Sequence, residues 1–291
     1  MMDFRKVTIK DKDTVEKYTK KPYELSCENT FLNLLLWQDE YGATALFCDN
    51  NFLVKSSYLG EDIYAIPFGD IKEGMDIILE KTGGKYPVFR APEGERLETF
   101  KKLYGDKYDI KELDGEVDYI YLREDLAELK GKKYHSKRNH ISSFSKQFDF
   151  TYEEITKDNL SDVKKCADRW YKEHADRFTE ELYAEKDGVD MLINNFETLG
   201  IKGGAIRVSE DIIAFTFASL INDTTVDTHI EKALYDYQTA YSVINNQFAK
   251  HLSLDIKYIN REDDLGLEGL RKAKLSYHPS IMLKKFSCTP K

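Results

Sequence analysis

Two α+β units in tandem, each a mixed α/β sheet flanked by helices, are what this sequence predicts. Three observations carry the prediction. The 291 residues are long for one hydrophobic core and comfortable for two domains of about 120–170 residues. The order helix, three strands, helix, strand, helix, strand can be read twice along the chain. The two tryptophans, Trp37 and Trp170, each fall in the helix that precedes a three-strand meander.

In the first half an apolar helix runs through Phe31–Trp37 and ends near Tyr41-Gly42. Strands are expected at Thr44–Cys48, Phe52–Ser56 and Asp62–Pro67, with Asp49-Asn-Asn51 as the turn between the first two. A helix over Lys72–Lys81 closes on Gly83-Gly84 and leads to a strand at Tyr86–Ala91. Helix Gly94–Tyr104 and a hairpin of Tyr108–Leu113 with Val117–Leu122 complete this half. A basic helix, Lys130–Phe148, bridges to the second half. Tyr134, Ile141, Phe144 and Phe148 form its apolar stripe, and its lysines are expected to face outward.

The second half opens with helix Ser161–His174, where Val163, Ala167, Trp170 and Tyr171 share one face. A helical region over Thr179–Leu199 precedes strands Gly204–Val208, Ile212–Leu220 and Thr224–Ala233. Helix Tyr237–Leu252 buries Tyr237, Ala240, Tyr241, Ile244 and Phe248 by the same spacing. Strand Ile256–Asn260, helix Leu267–Leu275 and strand Ile281–Phe286 end the chain. No Pro/Gly/Ser-rich linker marks the joint; the division is placed at 1–125 and 126–291.

Composition narrows the function. Nineteen Tyr and sixteen Phe argue against disorder, and no apolar run approaches the roughly 20 residues of a membrane span. With no secretory h-region at the start, a soluble, cytoplasmic chain is expected. Cys27, Cys48, Cys166 and Cys288 are scattered, and His135 and His140 stand five apart, so reduced thiols and no metal site are expected. The net charge of −9 is uneven: residues 128–147 and 267–286 hold eleven Lys/Arg against two Glu, leaving −18 elsewhere. That pattern excludes a general nucleic-acid coat. It fits either a local grip on a few phosphates or two solvated helix faces.

The run Tyr258–Lys274 stands out, with eight charged residues in seventeen. A short strand opens into Asn260, Arg261 and three acids, Gly266 permits a turn, and a helix bearing Arg271, Lys272 and Lys274 follows. A strand end that runs straight into a charged loop and a basic helix is typical of a ligand site in α/β proteins.

That run, together with Leu129–Phe144, His229-Ile-Glu-Lys232 and Leu275-Ser-Tyr-His-Pro279, resembles the C-terminal domain family of phosphatidylglycerol lysyltransferases, over nearly the whole chain. The resemblance implies two tandem GNAT-like domains, related to aminoacyl transferases that use aminoacyl-tRNA. In the GNAT-like topology the fourth and fifth strands splay, which implies that Glu231 and Asn260 flank a cleft. Acyl-CoA enzymes of that topology carry a Gly-rich pyrophosphate loop after the fourth strand; here Ala233-Leu-Tyr-Asp-Tyr-Gln238 has no glycine and an acid at Asp236.

Acyl transfer to an amine needs a proton acceptor and donors for the developing oxyanion. Glu231 is the candidate base, with a salt bridge to Lys232 or Arg271 as its structural alternative. Asn260 is the candidate carbonyl donor, or else a cap for the turn into Arg261. Tyr277 and Tyr241 are candidate proton relays, Tyr241 also suiting the core. Arg138, Arg271, Lys272 and Lys274 are the candidate phosphate ligands; Arg271 and Lys274 lie one helical turn apart. Glu262, Asp263 and Asp264 either fix these cations, attract a substrate amine, or serve the helix dipole.

The expected function is an acyl- or aminoacyltransferase with its site in the second half. Its donor would be an aminoacyl-tRNA, or alternatively an acyl-CoA, and its acceptor a small molecule. A catalytically silent module that binds a small phosphorylated or amino-acid ligand is the alternative from another class.

Overall fold

The computed structural model describes residues 3–58, 60–175 and 179–291, which include every candidate site residue named above. The chain divides into two compact units. Unit 1 comprises Met1–Asp118, Asp263–Gly266 and Met282–Lys291, and unit 2 comprises Tyr119–Glu262 and Leu267–Ile281. The boundary is therefore not a single cut near residue 125, because unit 1 takes two segments from the far end of the chain.

Unit 1 begins with α1 (Lys12–Thr19) and α2 (Phe31–Trp37). Strands β1 (Thr44–Phe47), β2 (Asn51–Tyr58) and β3 (Glu61–Ala65) form an antiparallel meander, with the short β4 (Phe68–Gly69) on β2. Asp70 caps α3 (Ile71–Lys81), its carboxylate accepting from the backbone N–H of Lys72 at 2.9 Å and of Glu73 at 3.0 Å. Strand β5 (Val88–Pro92) lies parallel to β3 over Ile63–Ala65 and Val88–Arg90, the crossover geometry that needs the intervening helix. Helix α4 (Glu95–Tyr104) follows, and the core gathers Leu53, Ile66, Met75, Phe89 and Phe100 with Tyr108. Gly74 lets α3 approach Pro67: a Cβ there would stand 2.5 Å from the Pro67 Cβ.

The expected hairpin at 108–122 is instead one strand, β6 (Tyr108–Leu122), which passes through Gly115 at φ 81°. Its two arms have partners far away in sequence. Residues 120–122 pair antiparallel with β11 (Tyr258–Asn260) in unit 2. The other arm neighbours the last strand, β12 (Ile281–Pro290), which also pairs antiparallel with β5. The end of β6 thus belongs to unit 2, whereas β12, from the far end of the chain, belongs to unit 1, an exchange that no local turn signal encodes.

Within unit 1 this exchange brings Lys285 of β12 beside three carboxylates. The ammonium lies 2.9 Å from Glu28, 3.1 Å from Asp118 and 3.2 Å from Asp263, with the Lys285 side chain 5% exposed. Burial opposes its charge, but the acids prevail and raise its pKa well above the ordinary lysine value.

Unit 2 enters through α5 (Arg123–Glu128), a 3₁₀ turn, and α6 (His135–Gln147), so the single helix expected over 130–148 begins only at His135. A strand absent from the sequence reading, β7 (Phe150–Glu154), pairs antiparallel with β8 (Lys202–Val208). Between them lie α7 (Leu160–Glu173), α8 (Glu180–Asn194) and α9 (Phe196–Leu199). Val163, Ala167, Trp170 and Tyr171 are buried along α7, the face the spacing indicated. Strand β9 (Asp211–Asn222) is buried at seven successive positions from Ile212 to Ala218, so both of its faces are covered. It pairs with β10 (Thr225–Ala233), and α10 (Ala240–His251) packs on β8, β9 and β10. Helix α11 (Glu268–Leu275) precedes β12. In both halves of the chain the helix–meander–helix–strand–helix–strand order holds.

Among the described residues no helix is long and apolar enough to cross a membrane.

Candidate functional site

Strand β10 outruns its parallel neighbour. It pairs with β11 only over Thr225–Asp227 and Tyr258–Asn260, while its antiparallel pairing with β9 continues to Ala233. In unit 1 the corresponding β3 ends at Ala65, where its pairing with β5 ends. Only in unit 2, among the described residues, does the last strand of the meander extend past its parallel partner, and Glu231 stands on that extension.

The chain leaves β11 through a tight turn. The Asn260 side-chain oxygen accepts from the Glu262 N–H at 2.7 Å, and Glu262 adopts φ 57°. Arg261 N–H donates to the Tyr119 carbonyl at 3.0 Å, and Tyr119 N–H to the Glu262 carbonyl at 3.2 Å, tying the turn to β6. The turn sends the Arg261 guanidinium across to Glu231, with Nη2 2.7 Å from Oε1. These side chains are only 13% and 11% exposed. Arg261 Nη1 is buried and has no hydrogen-bond partner among the described residues. Burial works against the guanidinium charge, but Glu231 outweighs it and keeps the Arg261 pKa above its ordinary value.

Aromatic rings frame the pair. The guanidinium carbon lies 5.1 Å from the Tyr277 ring centre and 5.8 Å from that of Tyr121. Tyr277 follows α11 and donates its hydroxyl to Ser242 Oγ on α10 at 3.3 Å; His140 Nδ1 of α6 is also 3.3 Å from that oxygen. Asn245, one turn along α10 from Ser242, places its amide nitrogen 3.5 Å from Glu231 Oε2. Lys137 of α6 sets its ammonium 3.9 Å from the Tyr277 ring centre. Burial and the Arg261 charge, partly offset by Glu231, lower the Lys137 pKa to about 8. Burial raises the Tyr277 phenol, against the pull of Arg261 and the Ser242 hydrogen bond.

The candidates of the sequence reading thus separate. Glu231 and Tyr277 come together around Arg261. Asn260 is adjacent, fully buried, with its oxygen engaged in the turn. The partner of Glu231 is neither Lys232 nor Arg271: Lys232 pairs with Glu185 at 2.7 Å. Of the cations proposed for phosphate, Lys274 and Arg138 are engaged by backbone carbonyls. Lys274, a candidate phosphate ligand with Arg271, is buried and donates its ammonium to the Arg261 carbonyl at 2.6 Å. Arg138 is turned back onto the carbonyls of Leu129 and Gly131. Lys272 is exposed and pairs with Glu268 at 2.6 Å, and Arg271 is half-buried on the same helix. Tyr241 is half-buried.

Residues that the sequence reading passed over complete the cluster. Arg261 was visible beside Asn260 but read only as part of a turn. Lys137 belongs to a helix whose lysines were expected to face water. Ser242, Asn245 and His140 carry no local signal; the pairing of α6 with α10 brings them in.

The loop after β10 bears on the donor. Tyr235 N–H, near the start of the 3₁₀ turn Tyr235–Tyr237, donates to Glu173 Oε2 at 2.8 Å, and Asp236 pairs with Arg169 at 3.2 Å. A carboxylate thus occupies a backbone amide of the loop after β10.

Comparison with known proteins places this arrangement. The family model described as phosphatidylglycerol lysyltransferase, C-terminal, matches residues 21–289. A conserved protein of unknown function from Bacteroides thetaiotaomicron is 33% identical, with a TM-score of 0.90 and both chains covered in full. L-PGS from Bacillus licheniformis superposes with a TM-score of 0.57 at 15% identity, over 94% of each chain. FemX gives a TM-score of 0.56 at 10% identity, over 98% of this chain and 97% of its own. An uncharacterised protein of Mycoplasmoides gallisepticum is 25% identical over 186 residues, 62% of this chain; the match spans 58% of that relative.

Proposed function

This chain belongs to the phosphatidylglycerol lysyltransferase C-terminal family, and on that footing we propose that it is an aminoacyltransferase. It moves an aminoacyl group from the ester of an aminoacyl-tRNA to an amine or hydroxyl of a small acceptor. The observation that carries the reading is the Glu231–Arg261 pair, held on the stretch of β10 that extends beyond β11. The engaged amide of Tyr235 favours this donor over an acyl-CoA.

Each group takes a role that fits its chemistry. The acceptor attacks the ester carbonyl and gives its proton to Glu231, which Arg261 and Asn245 orient. The Nη1–H of Arg261, buried and without a hydrogen-bond partner among the described residues, is the proposed donor for the oxyanion that forms on the carbonyl. Tyr277 gives its phenol proton to the leaving tRNA hydroxyl, and the proton that Glu231 took from the acceptor then restores the phenol. Lys137, with its lowered pKa, is a second proton acceptor beside the same ring. Arg271 and Lys272 on α11 remain the proposed tRNA phosphate contacts, Lys272 from its exposed position.

The test is transfer of a radiolabelled amino acid from charged tRNA to a panel of small amines and lipid headgroup analogues. Glu231→Gln should lower the rate about a hundredfold, the scale of a lost general base. The proposal fails if no charged tRNA binds at low salt and acetyl-CoA instead gives a saturable calorimetric signal.

A further inference from the structure

We propose that unit 2 holds a second reactive centre, a serine–histidine–carboxylate constellation of Ser219, His229 and Glu262 that cleaves small carboxylic esters through an acyl-serine. Ser219 Oγ on β9 is 2.8 Å from His229 Nε2 on β10. On the other side of the ring, His229 Nδ1 lies 3.1 Å from Glu262 Oε1 and 3.5 Å from Asp227 Oδ2. Two carboxylates on one nitrogen decide the tautomer. Nδ1 carries the proton, so in the neutral ring Nε2 presents its lone pair to the serine hydroxyl.

The backbone is shaped to make this contact. Asp227 is in register with Ser219 and Thr228 with Ala218, after which the register shifts and Ile230 faces Phe217. His229 is the inserted residue; without the bulge it would stand opposite Phe217. Bulges of this kind re-aim side chains beside active sites. Glu262 is held at φ 57°, an unfavourable conformation for a residue with a Cβ, by the hydrogen bonds of its N–H to Asn260 and of its carbonyl to Tyr119. The imidazole and the Asp227 side chain are fully buried, whereas Ser219, like Glu262, is half-buried, so the serine is more accessible than the base behind it. A buried base behind an accessible hydroxyl is the order of exposure that nucleophilic catalysis needs.

The chemistry balances with these groups alone. The Ser219 O–H bond breaks as its proton passes to Nε2, and Oγ bonds to the ester carbonyl carbon. The ester C–O bond then breaks, and the departing alcohol takes the proton from Nε2. Water repeats the sequence on the acyl-serine, releasing a carboxylic acid and restoring the hydroxyl.

A fluorophosphonate probe on the full chain tests the assignment, with adducts mapped by tandem mass spectrometry. One equivalent of phosphonate on Ser219 is expected, slowed at least a hundredfold in His229→Gln and in Glu262→Gln, and absent in Ser219→Ala. Should the buried His229 variant fail to fold, Ser219→Cys keeps the question open to measurement: its thiol should alkylate at a pH well below the free-cysteine value of about 8.5. Glu231→Gln, which should lower the transfer rate proposed above about a hundredfold, separates the two centres because Ser219 labelling is expected to persist in it. No adduct on Ser219 in the wild-type protein, or labelling unchanged in a folded His229→Gln variant, overturns the inference.

Discussion

Glu231 and Arg261, thirty positions apart in the chain, meet at 2.7 Å because the strand carrying Glu231 extends past the three-residue strand that ends just before Arg261. Neither side chain is more than 13% exposed. Removing one partner strands the other charge, which in buried pairs costs about 3–5 kcal/mol. Glu231→Gln and Arg261→Met should each lose on the order of 2–3 kcal/mol of unfolding free energy, since some solvent reaches both groups. The double variant should lose less than the sum. Urea titrations of the four proteins would read the coupling, and strictly additive losses would mean that the pair is not energetically linked.

Lys137 supplies a pH signature. With its pKa lowered to about 8, it should titrate well below exposed lysines, whose value is near 10.4. The direction of two variants follows from the causes: Glu231→Gln removes an acid and lowers the midpoint further, whereas Arg261→Met removes a cation and raises it. Carbon-13 spectra of reductively methylated protein would follow this one lysine. A midpoint near 10 in the parent would refute the placement of its ammonium over Tyr277.

His229 should make stability fall as pH rises above neutrality. Burial opposes its charge, but Asp227 and then Glu262 raise its pKa above the ordinary 6.5. A pKa raised in the folded state stabilises fully below the unfolded value, and that contribution disappears as pH climbs through the folded value. The difference in unfolding free energy between the parent and His229→Gln should therefore be larger at pH 6 than at pH 9; a constant difference would rule out the linkage. The same midpoint should govern Ser219 labelling, which accelerates as the imidazole loses its proton to become a base.

Lys285 is the equivalent anchor in unit 1. Lys285→Met leaves Glu28, Asp118 and Asp263 without their shared cation, and a loss of about 3–5 kcal/mol is expected at pH 7. Because its pKa is raised well above 10.5, the stabilisation is present in full up to the ordinary lysine range and is lost only above it. Thermal unfolding of the two proteins between pH 6 and pH 10 should show a constant gap; a gap that closes below pH 9 would contradict the ion cluster.

The elements themselves were legible because they rest on local regularities. The spacing of Val163, Ala167, Trp170 and Tyr171 could belong only to an amphipathic helix, and the apolar run Ile212–Ala218 to a strand covered on both faces. Glu231 and Tyr277 could be nominated because the motifs His229–Lys232 and Leu275–Pro279 carry a family resemblance, which implies a cleft beside the strand that holds Glu231. The edges of this legibility are also local. Phe150–Glu154 alternates too briefly to announce a strand, and Asp114-Gly115 carries a turn signal that the surrounding pairings override.

Chain order and side-chain periodicity, by themselves, determined that this protein is a tandem of mixed α/β units with an acid, a phenol and a cation-rich helix near one strand end. Which charges meet was decided only in three dimensions. The exchange of β6 and β12 between the halves encloses Lys285 among acids, and the short pairing of β10 with β11 sets Arg261 against Glu231. The packing of α6 near α10 brings Lys137 to Tyr277, and the rotation of α11 takes Lys274 out of solvent. The physical reason is one of range: periodicity reports which face of an element is apolar, whereas an ion pair depends on register and crossing between separate elements of the chain, and no local pattern records those.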